Sequence, residues 1–162
     1  MLKLTHKFLL EQLSYNPVTG IFRWKVTRNR IQEGELAGSN TTRGYRTIKI
    51  KGESFKAHRL AWFYIYEVWP SGVIDHKNGI FDDNRISNLR DVPQVINTEN
   101  KHKPRKRKTS SLLGVSFMSK LNKFKAQICI RGKHKYLGVF NSEQEAHDAY
   151  MSEKRKSHVG FI

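Results

Sequence analysis

The chain contains a single cysteine, few acidic residues and no long hydrophobic run. Cys129 is the one cysteine among 162 residues, which excludes an internal disulfide and a zinc site built from several thiolates. No apolar stretch approaches the roughly 20 residues of a membrane-spanning helix, and the N-terminal segment lacks the features of a signal peptide. We therefore expect a cytoplasmic protein without a membrane partner. In the alternating run 124–130, Cys129 is predicted to be a core residue of a strand.

The shortage of acidic residues leaves the chain strongly basic. Thirty Lys and Arg residues stand against 14 Asp and Glu, giving a formal net charge of +16. Such a charge suits a polyanionic partner, with nucleic acid first and an anionic membrane surface second. The densest run is 101–111, which we interpret as an extended linker that contacts the DNA backbone; a nuclear-targeting signal is the alternative. Its predicted DNA-binding residues are Lys103, Arg105, Lys106 and Arg107.

The first half of the chain alternates helical and strand-like patterns. Apolar spacing predicts a short helix over 3–13, and 15–25 reads as a turn followed by a strand, a small module that braces a neighbouring site. Further on, a hairpin turn at 51–54 precedes a helix over 57–68 that ends in apolar Val68. Aromatic residues in this region are predicted to pack in the core, because they bury the largest areas.

Functional chemistry concentrates in 73–100, where a short apolar run delivers Asp75 and His76 ahead of a loop rich in Asn, Asp and Gly. The Asp75 carboxylate and the Asn97 amide oxygen are hard ligands suited to Mg²⁺. His76 has an ordinary pKa near neutrality and can take a proton from an attacking water. Asp-His pairs and polar turns are also common without function, so these residues alone leave both interpretations open.

Four blocks of this region resemble the HNH endonucleases of phage and intron-borne homing type: HRLAW at 58–62, IDHKNG at 74–79, DDNRISNLR at 82–90 and the pair Asn97 and Asn100. The resemblance implies a ββα-metal nuclease domain that binds Mg²⁺ (or Mn²⁺). It also implies Asp75 and Asn97 as metal ligands and His76 as general base. Asn88 is expected to hold the loop by hydrogen bonds and to orient the histidine, so we count it with His76 as catalytic.

Two arginines lie near this predicted chemistry. Arg59 and Arg85 are candidates for DNA binding, because a guanidinium stabilises the extra negative charge of a phosphoryl transition state. The alternative is that Arg85 and Arg90 pair with the acidic residues Asp82, Asp83 or Asp91. The sequence does not choose between the two.

The last third of the chain reads as three short strands and one helix, with Asn141 or Ser142 as the helix N-cap. GVSF at 114–117, FKAQI at 124–128, YLGVF at 136–140 and EQEAHDAY at 143–150 resemble the plant ethylene-response-factor (AP-two/ERF) DNA-binding domain. That resemblance implies a sheet that enters the major groove, backed by the helix. The predicted contact residues include Ser116 and Met118, where plant members carry other residues, together with Lys123, Lys125, Arg131, Lys135 and Tyr136.

Together these patterns predict an α+β protein with three parts: an HNH nuclease domain (1–100), a basic linker (101–111) and a three-stranded antiparallel sheet packed on one helix (112–162). The predicted function is metal-dependent hydrolysis of duplex DNA, leaving 5′-phosphate and 3′-hydroxyl ends. A DNA-binding protein with a decayed nuclease and an RNA-binding protein are the alternatives. No protein partner is evident, and a monomer and a dimer fit equally.

Overall fold

The computed structural model describes residues 4–101 and 110–161. The chain forms two compact units, Met1–Val92 and Pro93–Ile162. Both combine helices with antiparallel strands, so the predicted α+β class is confirmed. Among the described residues no helix is both long and apolar enough to span a membrane. The observed division falls before the predicted boundary at residue 100, and the functional boundaries stay a prediction.

In its described part, the first unit contains two helices and three small antiparallel sheets. Its elements are α1 (His6–Gln12), β1 (Leu13–Asn16), β2 (Ile21–Trp24), β3 (Ser39–Asn40), β4 (Arg46–Ile50), β5 (Glu53–Lys56), α2 (Ala57–Tyr66), β6 (Val73–His76) and β7 (Leu89–Val92). Strand β1 pairs with β2, β4 lies between β3 and β5, and β6 pairs with β7. A 3-10 turn, Ile86–Asn88, leads directly into β7.

One apolar core holds these elements together. The Thr5 side chain caps α1 by accepting a hydrogen bond from the Phe8 amide, as expected of an N-cap threonine. The core lies where α1, α2 and the strands meet, and its fully buried members include Leu9, Phe22 and Leu60. Strand β6 contributes Ile74 and β7 contributes Leu89 to this core, so the hairpin that carries the predicted site is anchored to the body of the unit.

Helix α2 ends earlier than the sequence pattern predicts. Glu67 takes a left-handed conformation with φ 61°, and its amide bonds the Phe63 carbonyl, which ends the helix at Tyr66. Val68 is therefore 60% exposed rather than buried. Trp62 and Trp69 do pack against the core, as predicted.

The second unit begins with α3 (Gln94–Glu99) and continues with β8 (Val115–Met118), β9 (Lys123–Ile130), β10 (Lys133–Phe140) and α4 (Glu143–Ser157). Strand β9 is the centre of a three-stranded antiparallel sheet, and α4 packs against it through Ala146 and Tyr150, both buried. Ser142 is the N-cap of α4, accepting a hydrogen bond from the Glu145 amide.

The prediction that Cys129 is a core residue is wrong, because the cysteine is exposed. Alternate residues of a strand point to opposite faces, and in β9 it is Ala126 and Ile128 that are buried. Cys129 has the opposite parity and shares the other face with Lys125. The residue's apolar character misled the prediction, whereas its position in the alternation gives the correct face.

Candidate active site

The β6–β7 hairpin carries the acidic and imidazole groups of the predicted site side by side. Asp75 and His76 are the last two residues of β6 and are 4% and 3% exposed. Across the hairpin Asp75 pairs with Arg90, whose Nε and Nη2 lie 2.8 and 2.6 Å from Asp75 Oδ2. Two donors on one oxygen fix the orientation of the carboxylate. The sequence suggested Asp82, Asp83 or Asp91 as the partner of Arg90, whereas the structure pairs it with Asp75.

Asn88 holds the loop between the two strands. Its Nδ2 donates to Asn78 Oδ1 at 3.0 Å and to the Asp83 carbonyl at 2.8 Å, and its Oδ1 accepts from the Asn78 amide at 3.1 Å. Asn78 also donates from Nδ2 to Asp83 Oδ2 at 2.6 Å. This is the bonding expected of Asn88 within the loop, and it makes the loop a rigid connection rather than a free turn. The catalytic part of the prediction stays a prediction.

The amide that faces the His76 ring belongs to Asn84, a residue the sequence analysis did not single out. Asn84 Oδ1 lies 3.4 Å from His76 Nε2, and Asn84 is itself only 2% exposed. Burial lowers the pKa of His76 below its ordinary value, against smaller opposing effects of Asn84 and nearby carboxylates. The imidazole is therefore neutral at pH 7, the state in which it can accept a proton.

The turn at the end of β1 holds Asn84 in place from the other side. Buried Tyr15 donates its hydroxyl to the Asn84 carbonyl at 2.7 Å, and the Pro17 carbonyl accepts from the Ile86 amide at 3.2 Å. Gly20, with φ +73°, lies so close that a Cβ there would come within 2.5 Å of the Asn84 backbone. The predicted brace over 15–25 thus has a specific target, the segment that carries Asn84.

Among the described residues, three further rings lie around His76. The His58 ring lies edge-on to it at 5.0 Å between centroids, and Tyr45 and Phe81 lie at 6.0 and 6.1 Å. Burial, with a smaller effect of His76, lowers the pKa of His58 to about 3, so this second imidazole is also neutral. Within the described part of the chain, the buried His58 Nδ1 has no hydrogen-bond partner.

The two arginines predicted to bind DNA close to the site, Arg59 and Arg85, are engaged in the fold to different degrees. Arg59, on α2, donates to the carbonyls of Gly72 and Pro70 at 3.3 and 3.5 Å and so holds the segment that enters β6. Arg85 forms an ion pair with Asp83 at 2.6 Å, yet its side chain remains 49% exposed. The alternative pairing weighed for Arg85 is therefore present, and its contact with DNA stays a prediction.

Asn97 lies on α3, in the second unit, and is partly buried; its role as a metal ligand stays a prediction. The linker residues Lys103, Arg105, Lys106 and Arg107 lie outside the described residues.

Strand register sorts the predicted DNA contacts of the second unit by face. Cross-strand partners share a face: Lys123 is opposite Met118, Lys125 opposite Ser116, and Tyr136 opposite Gln127. These lie on the side away from α4, which we call the open face. Lys135 is opposite the buried Ile128, on the helix side, where it pairs with Glu153 at 2.9 Å. Arg131 occupies the β9–β10 turn with φ 50°. Gln127 also lies on the open face, yet it was not among the predicted contact residues, although its parity matches that of Lys125.

Residues 55–98 match the model of the HNH endonuclease family. This segment contains all four motif residues predicted for the nuclease site, so the HNH resemblance is confirmed for it.

Sequence similarity to a phage protein points the same way. Over 62 residues the chain is 44% identical to the DNA endonuclease I-HmuI of Bacillus phage SP01. The match covers 35% of this chain and 36% of that relative, so the chain spans about a third of the curated protein's length. A solved structure titled "DNA binding and cleavage by the HNH homing endonuclease I-HmuI" has a TM-score of 0.44 and 22% identity, over 92% of this chain and 88% of that one. The resemblance of 112–162 to the ethylene-response-factor domain stays a prediction.

Proposed function

We propose that the chain is a metal-dependent DNA endonuclease of the HNH homing type that hydrolyses phosphodiester bonds in duplex DNA. One observation carries the proposal: a buried Asp75-His76 pair stands at the end of β6, beside a loop fixed by Asn88, inside the segment that matches the HNH family. The order of elements β6, β7 and α3 is also that of a ββα-metal motif, in which two strands are followed by one helix.

His76 is the general base in this proposal. Burial keeps its imidazole neutral at pH 7, and the rings and the Asn84 amide around it restrict its orientation. The imidazole takes a proton from the attacking water, whose oxygen bonds to phosphorus while the bond between phosphorus and the 3′ oxygen breaks. The 3′ oxygen takes a proton from solvent water, so that 5′-phosphate and 3′-hydroxyl ends remain. General-base catalysis of this kind contributes about 10²–10⁴-fold to a rate.

The donor set fits a hard divalent ion, Mg²⁺ or Mn²⁺. Within the described residues no three His, Cys, Asp or Glu side chains are grouped to hold a metal. Mg²⁺ keeps several waters and needs only one or two protein oxygens, and Asp75 and Asn97 supply a carboxylate and an amide. The bound ion would polarise the phosphoryl group and stabilise the leaving oxygen. Arg90 orients the carboxylate through Oδ2.

DNA is held by charge and by the second unit. The net charge of +16 favours binding to the phosphate backbone with a strong dependence on salt. The basic linker tethers the DNA, the β6–β7 turn enters the minor groove, and the open face of the second unit contacts the major groove through Lys123, Lys125 and Tyr136. The likeness to the ethylene-response-factor domain supports this assignment, and the departures at Ser116 and Met118 mean that the plant target sequence does not carry over.

A plasmid assay tests the nuclease proposal. Purified protein should convert supercoiled DNA to nicked or linear product with Mg²⁺ and not with EDTA, and the ends should be 5′-phosphate and 3′-hydroxyl. His76→Ala should abolish cutting while DNA affinity changes by no more than a few-fold. Full cutting by His76→Ala would remove this residue as the base. Binding of duplex DNA by the wild type without any cutting would favour the decayed nuclease instead.

A further inference from the structure

Two adjacent apolar side chains stand exposed at the tip of the active-site loop. Ile80 is 58% and Phe81 42% exposed, although single exposed apolar residues are ordinary on protein surfaces. This pair differs by its place, because the Phe81 ring lies 6.1 Å from the His76 ring. An apolar pair beside a site that binds a charged phosphate requires a different partner from the phosphate itself.

The loop presents these side chains on a rigid backbone. Asn78 Oδ1 accepts from the Ile80 amide at 3.0 Å, and the Asp83 amide donates to the Ile80 carbonyl at 3.1 Å. Asn88, in turn, fixes Asn78. The direction of the two side chains is therefore set before any partner arrives, which lowers the entropy cost of binding.

Phe81 is also supported from behind. Its ring stacks on Tyr45 with centroids 4.4 Å apart and planes 13° apart, and the Lys56 ammonium lies 4.8 Å from the Tyr45 ring centre. One face of the Phe81 ring is thus covered while the side chain as a whole remains 42% exposed. A ring backed on one face and accessible on the other is suited to stacking against a nucleobase.

The two acidic residues that follow Phe81 in the loop, Asp82 and Asp83, do not repel DNA with their full charge. Arg46 pairs with Asp82 at 3.1 Å and Arg85 pairs with Asp83 at 2.6 Å. Both carboxylates are thus compensated by cations of the same unit, which leaves the apolar tip approachable by a polyanion.

We propose that Phe81, assisted by Ile80, is an apolar wedge that enters the minor groove and unstacks a base step beside the phosphate held at Asp75 and His76. Proteins that bind the minor groove insert Phe, Leu, Ile or Met side chains in this way and kink the duplex. The inference rests on the proposed function for its partner, duplex DNA. Local unstacking brings the scissile phosphate to the buried imidazole, which a straight duplex reaches less readily.

Unwinding of closed circular DNA tests the wedge without requiring cleavage. Relaxed plasmid is incubated with the protein in EDTA and treated with a topoisomerase that needs no metal; after protein removal, its linking number is measured. Wild type should leave a negative shift that Phe81→Ser and Ile80→Ser reduce at equal DNA occupancy. Phe81→Leu should retain most of it, because leucine also serves as a wedge. The matched control Val68→Ser, at a residue 60% exposed in the same unit, should behave as wild type.

Nicking with Mg²⁺ completes the test. Phe81→Ser should cut intact plasmid about tenfold more slowly or worse, since the unstacking contact is lost, and Phe81→Leu should recover most of that rate. Should Phe81→Ser unfold, Ile80→Ser decides, because its exposed side chain has little to hold. Wild type that nicks DNA without changing the linking number overturns the wedge and leaves the nuclease standing. Wild type that unwinds DNA without nicking overturns the nuclease and leaves the wedge standing.

Discussion

Replacing Tyr15 with phenylalanine tests whether the N-terminal turn holds the active-site loop. The change removes only the hydroxyl that donates to the Asn84 carbonyl at 2.7 Å, and it keeps the ring that stacks on Phe22 at 4.6 Å. Burial raises the pKa of Tyr15, so the hydroxyl is a donor throughout the neutral range. Losing a buried donor costs about 1–3 kcal/mol. For a unit of this size each kcal/mol lowers Tm by about 4–8 °C, which thermal unfolding resolves.

The same variant has a second readout in the cutting rate. A folded domain with about 5–15 kcal/mol of stability remains almost fully folded after this loss, so any fall in nicking at 25 °C reports the loop and not the folded fraction. We expect nicking to fall while DNA affinity is preserved. Tyr66→Phe, at a residue 48% exposed, is the matched control. Wild-type stability and nicking in Tyr15→Phe would show that the turn merely lies beside the loop.

Three other changes test separate parts of the structure. Gly20→Ala should destabilise the first unit by about 1–3 kcal/mol from the left-handed backbone alone. The loss should be larger still, because the new Cβ would lie 2.5 Å from the backbone of Asn84. Gly34→Ala, with φ +83° and open space around the new Cβ, isolates the first effect in urea unfolding. Lys125→Ala should weaken DNA binding and reduce the slope of log affinity against log salt by about one, while the helix-side Lys135→Ala should not. Burial lowers the pKa of Lys154 from 10.5 to about 8. Between these two pH values the unfolded chain binds one proton more than the folded chain, so the free energy of unfolding should rise with pH. Lys154→Met should flatten that rise.

The sequence indicates the nuclease motif but not its supports. A short apolar run delivers Asp75 and His76 to a loop of turn residues, and the resemblance of four blocks to the HNH endonucleases adds Asn88. Asn84 has no such signal, since it is one of several polar residues in the same loop. Its importance depends on a contact with Tyr15, 69 positions away, and pairing over that distance is a property of the packed core. The ion pair of Arg90 with Asp75 likewise depends on the hairpin register, which the sequence pattern left open.

Errors in the second unit have a simpler origin. Cys129 was assigned by residue type, although the parity of β9 assigns it correctly. Parity within β9 does not give the face of Lys135 on β10; the register does, because Lys135 lies opposite the buried Ile128. Further along β10, an irregularity between Tyr136 and Gly138 shifts the pairing. A bulge reverses the face of the residues beyond it relative to simple alternation. The sequence therefore shows where the basic residues are, and the strand register decides which of them lie on the open face of the sheet.

The segment that matches the HNH family begins at residue 55, but residues before it also support the candidate site. The Asn84 backbone is held by Tyr15 and by the turn that ends at Gly20, and Phe81 is backed by Tyr45. All three supporting residues precede the matched segment. A polar loop without such anchors samples many conformations, and the free-energy cost of fixing it would add to the barrier of the chemical step. The reacting groups of the proposed mechanism thus lie within 55–98, while contacts that hold Asn84 and Phe81 come from the preceding half of the first unit.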